Sequence, residues 1–139
     1  MLSIDYREHA DEELGKIIGL EFTKFAEKND ANCNYIPFCF VAKDDDELAG
    51  VITGHAYYKE VKISDLIVLE QYRGRHIGSK LVEAVEEYFK GEGYANINLS
   101  TYGFQAPDFY IKCGFQIEFI REDASDPKLT KYFFIKFFD

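Results

Sequence analysis

One segment, QYRGRHIGSKL at residues 71–81, constrains the possible fold more than any other part of the sequence. It follows an apolar run and leads into an amphipathic helical pattern, so it joins a strand to a helix. Gly74 and Gly78 let the backbone approach a ligand closely. Arg73 and Arg75 can supply charge-assisted hydrogen bonds. Because free N–H groups at a helix start also attract anions, the segment is a candidate anion-binding loop, the alternative being a polar turn that only starts a helix.

The rest of the sequence predicts an α/β chain with a mixed sheet. Asp11 suits an N-cap, and the two glutamates that follow it suit the positive end of a helix. Period-two alternation with Phe and Val marks the strands, and glycines mark helix ends. These signals predict strands at 2–6, 37–43, 51–58, 61–69, 94–100, 115–121 and 132–138, and helices from Asp11 to near Asn29, at 79–90 and at 106–113. The order implies a single domain, residues 1–139, with helices on the faces of the sheet.

The composition narrows the class of partner. Hydrophobic residues make up 47% of the chain and aromatic residues 17%, which is enough to build a core. The net charge of −9 argues against nucleic acid and against an anionic membrane surface, because both attract a basic protein face. It favours a cationic small molecule or a basic peptide, whose local concentration the field raises. The acidic run at 43–50 is interpreted as a solvated hairpin turn rather than a calcium loop, because no alternating ligands continue beyond it.

The cysteines and the N-terminus indicate the cellular compartment in which we expect the protein. No apolar run approaches the roughly 18 residues of a membrane span. The N-terminus lacks the basic start and apolar stretch of a signal peptide. The three cysteines form no CxxC pair, and the three histidines show no metal-ligand spacing. We therefore expect a reduced, cytoplasmic chain without a metal.

Two common phosphate-binding patterns do not fit the segment. A Walker-type loop needs GxxxxGK[ST], but the glycines here are one residue too close and Ser79 precedes Lys80. A dinucleotide fingerprint needs GxGxxG after an early strand, whereas the GEG at 91–93 follows a helix. What remains is a strand, then R-G-R-H-I-G, then a helix.

This remaining pattern resembles the acetyl-coenzyme A (acetyl-CoA) loop of the GNAT superfamily of N-acetyltransferases, which reads [QR]xxGx[GA] after the fourth strand. Arg73 and Gly78 match its first and last positions, and Gly74 lies where glycine is common. His76 departs from the family's middle glycine. The resemblance implies that a side chain is tolerated there if His76 has ordinary helical dihedrals. The imidazole then either adds a donor to a phosphate or stands in its way.

A second segment supports the resemblance. FQAPDFYIKCGF at 104–115 resembles the family's AxxxYxKxGF segment, and a predicted helix and strand separate the two motifs. Many relatives carry an asparagine seven residues before the tyrosine, where this chain has Gly103. Gln105 and Ser100 are the candidate substitutes for its contact with the pantetheine arm. The matching residues are Ala106, Tyr110, Lys112, Gly114 and Phe115.

The resemblance implies the GNAT fold, a mixed, mostly antiparallel sheet of about seven strands flanked by about four helices, with strands 4 and 5 splayed. It implies acetyl-CoA as co-substrate, with the pyrophosphate on the amides of 73–79 and the pantetheine arm beside the strand that precedes them. The implied activity is acetyl transfer, by direct attack in a ternary complex, to a primary amine of a small cationic molecule or to a lysine or peptide amine. The implied cofactor-binding residues are Leu66, Ile67, Val68, Arg73, Gly74, Arg75, His76, Ile77, Gly78, Ser79, Ser100, Gln105, Phe109, Tyr110 and Lys112.

Three residues are candidates for the chemistry. Tyr110 is assigned, by resemblance and position, as the general acid for the leaving thiolate, the alternative being simple core packing. Strand alternation puts the odd positions, such as Ile67, on the core face and Glu60 on the opposite face. Glu60 also lies thirteen residues before Arg73, the spacing of the catalytic glutamate in histone-modifying members. Asp65 is either turned out by a bulge or a buried acid with a raised pKa, so the base is Glu60, Asp65 or water.

Other interpretations stay open. The chain is either an enzyme or a non-catalytic acyl-CoA-binding regulatory module, and the intact loop together with Tyr110 favours the enzyme. Acetylation of a polypeptide N-terminus is a third possibility. A homodimer through the far edge of the sheet is compatible with the aromatic last strand. His55 is interpreted as a structural residue, and four aromatic residues are interpreted as core rather than as an acceptor pocket, namely Tyr57, Tyr58, Tyr102 and Phe104.

Overall fold

The computed structural model describes the whole chain, which divides into two compact units, Met1–Cys33 and Asn34–Asp139. In the first unit, helix α1 spans Glu12–Lys28. The carboxylate of Asp11 caps it by accepting a hydrogen bond from the Leu14 amide at 2.9 Å. The predicted helix and its N-cap are confirmed.

The strand predicted at 2–6 is wrong, because these residues form no strand. Three apolar residues at alternate positions satisfy the local pattern, but a strand forms only where its backbone finds a partner edge. The protein therefore has six strands and three α-helices, where about seven and about four were expected. None of these helices is long and apolar enough to cross a membrane.

The second unit carries the sheet and two helices. The strands run in the order β1-β2-β3-β4-β6-β5. All neighbouring strands are antiparallel except β3 and β4, which are parallel. This is the mixed, mostly antiparallel sheet that was expected. The elements are β1 (Ile36–Asp44), β2 (Glu47–Tyr57), β3 (Glu60–Val68), α2 (Ile77–Phe89), β4 (Asn96–Tyr102), α3 (Pro107–Lys112), β5 (Gln116–Arg121) and β6 (Lys131–Phe137).

Strands β3 and β4 splay apart after a short contact. Their parallel pairing begins with Glu60 opposite Asn96 and ends with Lys62 opposite Asn98. Beyond that point β3 continues to Val68 without pairing to β4. The expected splay of these two neighbouring strands is confirmed, and it leaves a gap in the middle of the sheet.

A β-bulge lies in β3 beside this gap. Thr53 of β2 pairs with Asp65 and the next residue, Gly54, pairs with Ile63, so Ser64 is the extra residue. The bulge reverses the alternation, so that Leu66 packs against the core beyond it while the side chain of Ile67 is 50% exposed. The expectation that Ile67 continues the core face is therefore wrong, because a uniform period of two does not survive an inserted residue.

Helix α2 covers one face of the sheet with its apolar side. Complete burial of an aliphatic or aromatic side chain stabilises the fold by about 1.5–3 kcal/mol, so this layer is a main source of stability in the unit. The contact also fixes where the N-terminus of α2 lies relative to the end of β3. The buried residues of α2 are Leu81, Val82, Val85 and Phe89, and those of the sheet core include Ile52, Val61, Ile97 and Phe134.

Candidate functional site

A cavity of about 640 Å³ lies among the end of β3, helix α2 as far as Glu86, helix α3 and Lys136 of β6. Most of the residues that were predicted to bind the cofactor line it. They come from three separate parts of the sequence, which the parallel β3–α2–β4 crossover and the following helix bring together. The predicted residues in the wall are Val68, Arg73, Gly74, His76, Ile77, Gly78, Ser79, Phe109 and Lys112.

The start of α2 faces this cavity with unpaired backbone donors. The first helical hydrogen bond runs from the Lys80 amide to the carbonyl oxygen of His76 at 3.1 Å. The amides of Ile77, Gly78 and Ser79 therefore precede the helical ladder and have no helical acceptor. The Ser79 hydroxyl donates to the His76 carbonyl at 3.0 Å, which stiffens the turn without occupying those amides. Together with the helix dipole, the arrangement suits a phosphate or pyrophosphate.

His76 has a left-handed backbone conformation, with φ 61° and ψ 19°. The condition under which the resemblance tolerates a side chain here, ordinary helical dihedrals, is therefore not met. The loop has to reverse direction to enter α2, and a left-handed residue at the N-cap makes that reversal. Such a conformation costs an L-residue about 1–2 kcal/mol relative to glycine. This cost explains physically why a glycine suits the position.

Two contacts hold the loop before α2 in place. Arg73 Nε donates to the carbonyl oxygen of Val68 at 3.1 Å. The hydroxyl of the buried Tyr72 donates to the Glu47 carboxylate, and this hydrogen bond raises the pKa of Tyr72. The loop is thus positioned by the strand before it and by β2.

Arg75 is directed away from the cavity. Its Nη2 lies 3.3 Å from a carboxylate oxygen of Asp44, and its guanidinium lies 5.4 Å from the ring centroid of Tyr72. Both partners of the ion pair are about half exposed, so the pair contributes little to stability. The structure therefore does not bring Arg75 to the cavity with the other predicted residues.

The edge of β3 that faces the gap carries backbone groups that no other strand pairs with, although the Val68 carbonyl accepts the hydrogen bond from Arg73. The Leu69 amide donates to the Ala49 carbonyl at 2.9 Å, so Leu69 faces β2. Because successive residues of a strand present their N–H and C=O groups to opposite edges, Val68 and Leu66 present theirs to the gap. This edge can pair with an extended ligand in the way a further strand would.

Helix α3 closes the cavity opposite α2. A Cβ added at Gly78 would lie 3.1 Å from Phe109 Cζ, so the absence of a side chain lets the two helices approach closely. Tyr110, the next residue, is 7% exposed, and its ring lies 5.0 Å from that of Phe109 and 5.8 Å from that of Phe134. Burial, with a smaller contribution from the neighbouring Cys113, raises the pKa of Tyr110 to about 12. Tyr110 therefore keeps its proton throughout the physiological range.

The two candidate bases lie on the face of the sheet that is opposite α2. Glu60, at the start of β3, accepts a hydrogen bond from Asn98 Nδ2 at 2.9 Å. Asp65 is exposed in the bulge and accepts a hydrogen bond from the Thr53 hydroxyl at 3.0 Å. Of the two alternatives for Asp65, the structure thus selects the outward-turned one. Asp65 is next to the unpaired edge of β3, whereas Glu60 lies six residues before Leu66, about 20 Å along an extended strand.

Several predicted cofactor-binding residues lie outside the cavity wall. The side-chain carbonyl of Gln105 accepts hydrogen bonds from the Tyr102 amide at 2.9 Å and from the Thr101 hydroxyl at 3.2 Å. Gln105 is therefore used in the turn after β4, close to Gly103. Ser100 is exposed on β4. The other predicted residues outside the wall are Leu66, Ile67, Arg75 and Tyr110.

The aromatic residues expected in the core are mostly exposed. Tyr58 is 47% exposed, Tyr102 38% and Phe104 60%. His55 lies between two rings, with centroids 5.3 Å away at Tyr35 and 4.9 Å away at Tyr57. By alternation along β2, His55 and Tyr57 share the outward face with Thr53. The rings of His55 and Tyr57 thus lie on the same face of β2 and β3 as the two candidate bases.

Sequence reasoning missed part of the wall. Helix α2 adds residues that follow Ser79 at helical spacing, first by four positions and then by three more, so that they lie on the same face of the helix. This spacing could have been read from the sequence. Lys136 of β6 gave no such signal, because its place depends on strand pairing across the sheet. The missed residues are Tyr72, Val82, Glu83, Glu86, Cys113 and Lys136.

The residues present fit coenzyme A. Its pyrophosphate needs donors such as the three open amides at the start of α2, and its pantetheine arm needs an extended partner such as the free edge of β3. Both features border one cavity. A mixed sheet that splays beside β3, followed by a helix whose N-terminus can bind a phosphate, is typical of proteins that bind acyl-coenzyme A.

The comparisons with known proteins agree with this class. The sequence model of the Acetyltransferase (GNAT) family matches residues 5–115. Since this match spans most of the chain, the protein belongs to the GNAT acetyltransferase family. Members of this family use acetyl-CoA as the acetyl donor.

Individual relatives extend the comparison. A blasticidin-S acetyltransferase from Streptomyces morookaense is 31% identical over 91 residues, which are 65% of this chain and 66%, just under two thirds, of the relative. An acetyltransferase from Bacillus cereus, known from a crystal structure, is 26% identical in sequence and has a TM-score of 0.77. The comparison covers 96% of this chain and 97% of that protein. A Bacillus subtilis acetyltransferase solved in complex with CoA is 20% identical, with a TM-score of 0.64 and 96% of each chain covered. The last comparison supports the fold alone.

Proposed function

We propose that this protein transfers the acetyl group of acetyl-CoA to a primary amine by direct attack in a ternary complex. The single observation that carries the proposal is the meeting of two features at one cavity. The open amides of Ile77, Gly78 and Ser79 lie at the start of α2, and the unpaired edge of β3 ends beside them. The open amides match the pyrophosphate of coenzyme A, and the free strand edge beside them matches its pantetheine arm. In acetyl-CoA the thioester lies at the far end of that arm.

The gap in the sheet gives the two substrates separate approaches. The cofactor cavity lies on the α2 side, whereas Asp65 and Thr53 lie on the opposite face. Acetyl-CoA supplies the thioester carbonyl, and the amine reaches it through the gap between β3 and β4. The free N–H groups at Leu66 and Val68 hold the arm and are placed to donate to the carbonyl oxygen.

Tyr110 serves the leaving sulfur as a hydrogen-bond donor. A phenol with a pKa of about 12 is a weaker acid than a thiol, whose pKa is ordinarily about 8.5. Complete proton transfer from such a phenol would be uphill by about 5 kcal/mol. A charge-assisted hydrogen bond to the developing thiolate has no such cost, and the proton released by the amine balances the reaction. This refines the role of general acid that the sequence suggested.

Asp65 is the group best placed to accept the proton of the attacking amine. It is exposed on the acceptor side, and its hydrogen bond to Thr53 fixes one carboxylate oxygen. Glu60 is farther along the strand and is engaged by Asn98. We assign Glu60 to orienting a cationic acceptor rather than to accepting its proton.

The overall charge and one relative support the proposed class of acceptor. The net charge of −9 raises the local concentration of cations, and the outward face of β2 and β3 combines two carboxylates with the rings of Tyr57 and His55. The relative from Streptomyces morookaense is named for blasticidin-S as its substrate. We propose a small cationic amine as the acceptor, in preference to a lysine side chain or a polypeptide N-terminus.

The cellular setting is part of the proposal. The three cysteines are all free, which fits a reducing compartment such as the cytoplasm. The aromatic last strand, β6, lies inside the sheet between β4 and β5, so it does not form the far edge to which the sequence assigned it. The exposed edge strand β5 is instead the surface through which two copies can form a homodimer.

The test is release of free thiol from acetyl-CoA in the presence of a panel of amines. Cationic primary amines, neutral primary amines and peptides with free N-termini are compared at equal concentration. We expect amine-dependent thiol release that is fastest with small cationic amines. Tight binding of acetyl-CoA without thiol release on any amine would identify the protein as an acyl-CoA-binding module instead.

A further inference from the structure

The face of the sheet that is proposed to receive the acceptor carries one lysine, Lys62 of β3. Lys62 lies between the buried residues Val61 and Ile63, so its side chain points to the face opposite the core. Glu60, two residues earlier, shares this face and accepts its hydrogen bond from Asn98 there. Lys62 is exposed, and it is the only lysine or arginine in β2 and β3. A cation on this face therefore comes from this one residue.

Lys62 lies at the mouth of the gap between β3 and β4. Its pairing with Asn98 is the last between these two strands, which separate beyond it. On its other side it pairs with His55 of β2, and side chains at such opposed positions have Cβ atoms about 4.5–5.5 Å apart. The imidazole of His55 packs between the rings of Tyr35 and Tyr57, which keep it beside Lys62. An ammonium group and an imidazole N–H thus offer neighbouring hydrogen-bond donors at the entrance to the gap.

No carboxylate of the protein neutralises Lys62 directly, since it takes part in no ion pair. The two acids on the same face have other donors, Asn98 for Glu60 and Thr53 for Asp65. Each of these acids lies one pair of residues farther along the sheet, about 7 Å from the level of Lys62. They weaken the positive potential there but leave the three N–H donors of the ammonium group open to a ligand.

We propose that Lys62, with His55 beside it, is a specificity-determining residue that binds a carboxylate of the acceptor, so that the favoured cationic acceptor also carries one anionic group near its primary amine. The inference rests on the proposed function, because it takes the amine to approach Asp65 through the gap. Thr53, which pairs with Asp65, lies two residues from His55, so the amine and the carboxylate are about 7 Å apart. The single charge of one ammonium group matches a carboxylate better than a phosphate monoester, which carries about two negative charges.

The test uses two competitors, 5-aminopentanoate and 5-aminopentanamide. They share the primary amine and the chain, which extends over about the required distance, and differ in the anionic group. Each is added to the reaction of acetyl-CoA with the fastest amine of the panel, and its inhibition constant is measured from the acetylated panel amine by mass spectrometry. For the wild type we expect the carboxylate to compete about three- to tenfold more strongly than the amide.

Lys62→Met removes the charge from an exposed side chain and keeps its approximate length. It should bring the two inhibition constants within about twofold of each other and leave the dissociation constant of coenzyme A unchanged. A lysine with a merely structural role would not change the ratio of the two constants. Lys59→Met is the matched control, because Lys59 is exposed in the turn between β2 and β3, forms no ion pair and changes the net charge equally when replaced. It should keep the wild-type ratio.

The inference is overturned if the wild type does not favour the carboxylate over the amide, whether both compete equally, neither competes or the amide competes better. It is also overturned if Lys62→Met keeps the wild-type ratio or if Lys59→Met lowers the ratio as much. Those outcomes leave the proposed function intact, because the panel amine is still acetylated. A failure to acetylate any amine contradicts the proposed function together with the inference.

Discussion

At the scale of single residues, His76 gives the site a conformation that glycine would adopt without strain. Its φ of 61° lies in the left-handed region, and no side-chain hydrogen bond compensates there. We expect His76→Gly to raise the free energy of unfolding by about 0.5–1 kcal/mol, because the relief of strain exceeds the added entropy of the unfolded chain. Urea denaturation measures the change.

His76→Ala is the matched control for this prediction. Alanine removes the imidazole but keeps the Cβ atom that causes the strain. It should therefore leave the free energy of unfolding close to that of the wild type. Equal stabilisation by alanine and glycine would show that the imidazole, rather than the backbone, is the source of the cost.

Tyr110 gives a second residue-scale prediction. Tyr110→Phe should lower kcat by about 10- to 100-fold, the loss of one hydrogen bond to a developing charge, and should barely change the dissociation constant of coenzyme A. Because its pKa is about 12, Tyr110 stays protonated at every lower pH. The variant should therefore lower the plateau of the pH–rate profile without moving either limb below about pH 11. Wild-type kcat in the variant would remove Tyr110 from the mechanism.

The assignment of the base is tested by a pair of amide substitutions. Asp65→Asn should abolish or displace the acidic limb of the kcat/KM profile for a primary amine, because it removes the group that accepts the proton. Glu60→Gln should raise KM for a cationic amine and leave the limb in place. If both variants keep the wild-type limb, then water or another group accepts the proton.

Residue identities in the site were readable from sequence, but their orientations were not. The local motif was enough to place Gly78, Phe109 and Lys112 at one cavity. Arg75 could not be read in this way, because its direction is set by Asp44, which is 31 residues away in sequence. Gln105 was assigned to the ligand, yet its side-chain carbonyl is used by the turn after β4. When a side chain has several possible partners, its neighbours in the tertiary structure determine its direction.

At the scale of secondary-structure elements, the bulge in β3 depends on a glycine in β2. A Cβ built on Gly54 would lie 2.0 Å from the carbonyl oxygen of Lys62 and 2.5 Å from Phe38 Cζ. We expect Gly54→Ala to lower the free energy of unfolding by about 3 kcal/mol or more, since the backbone itself has to move. Loss of the bulge would also turn Asp65 and Leu66 to the wrong faces.

Gly15→Ala provides a reference for this substitution. Nothing lies within 4 Å of a Cβ at Gly15, and alanine favours a helix interior over glycine by about 1 kcal/mol. That variant should be neutral or stabilising in urea denaturation. A Gly54→Ala variant with the wild-type midpoint would show that the bulge does not require glycine.

The order of the elements could largely be predicted from sequence, whereas their ends and pairings could not. Hydrophobic periodicity located both long helices and six of the seven predicted strands. The turn predicted at 43–50 shrinks to Asp45 and Asp46, both with positive φ, because the ladder between β1 and β2 extends through its flanks. The strand predicted at 2–6 failed for the opposite reason, since local alternation does not supply a partner.

At the scale of the whole molecule, the acidic charge bears on the acceptor. With a net charge of −9, the value of kcat/KM for a cationic amine should fall several-fold between about 50 and 300 mM salt, because salt screens the attraction. A neutral amine of similar size should show little change. Equal salt dependence for the two amines would indicate that the field of the protein does not select the acceptor.

The identity of the acceptor is the part of the function that is hardest to predict from the sequence. The cofactor needs a fixed geometry of amides and a strand edge, and a short motif specifies both. The proposed acceptor surface consists of side chains on β2 and β3, so single substitutions such as those at Tyr57 or His55 would change it. The family is therefore readable from two motifs, while the acceptor needs a measurement.

Following an isotopically labelled acetyl group gives a direct test of acetyl transfer from acetyl-CoA to an amine. The protein is incubated with labelled acetyl-CoA and a small cationic primary amine, and the products are analysed by mass spectrometry. We expect an amine that carries one labelled acetyl group, with one free thiol formed for each acetylated amine. Bound coenzyme A without a labelled product on any amine would contradict it.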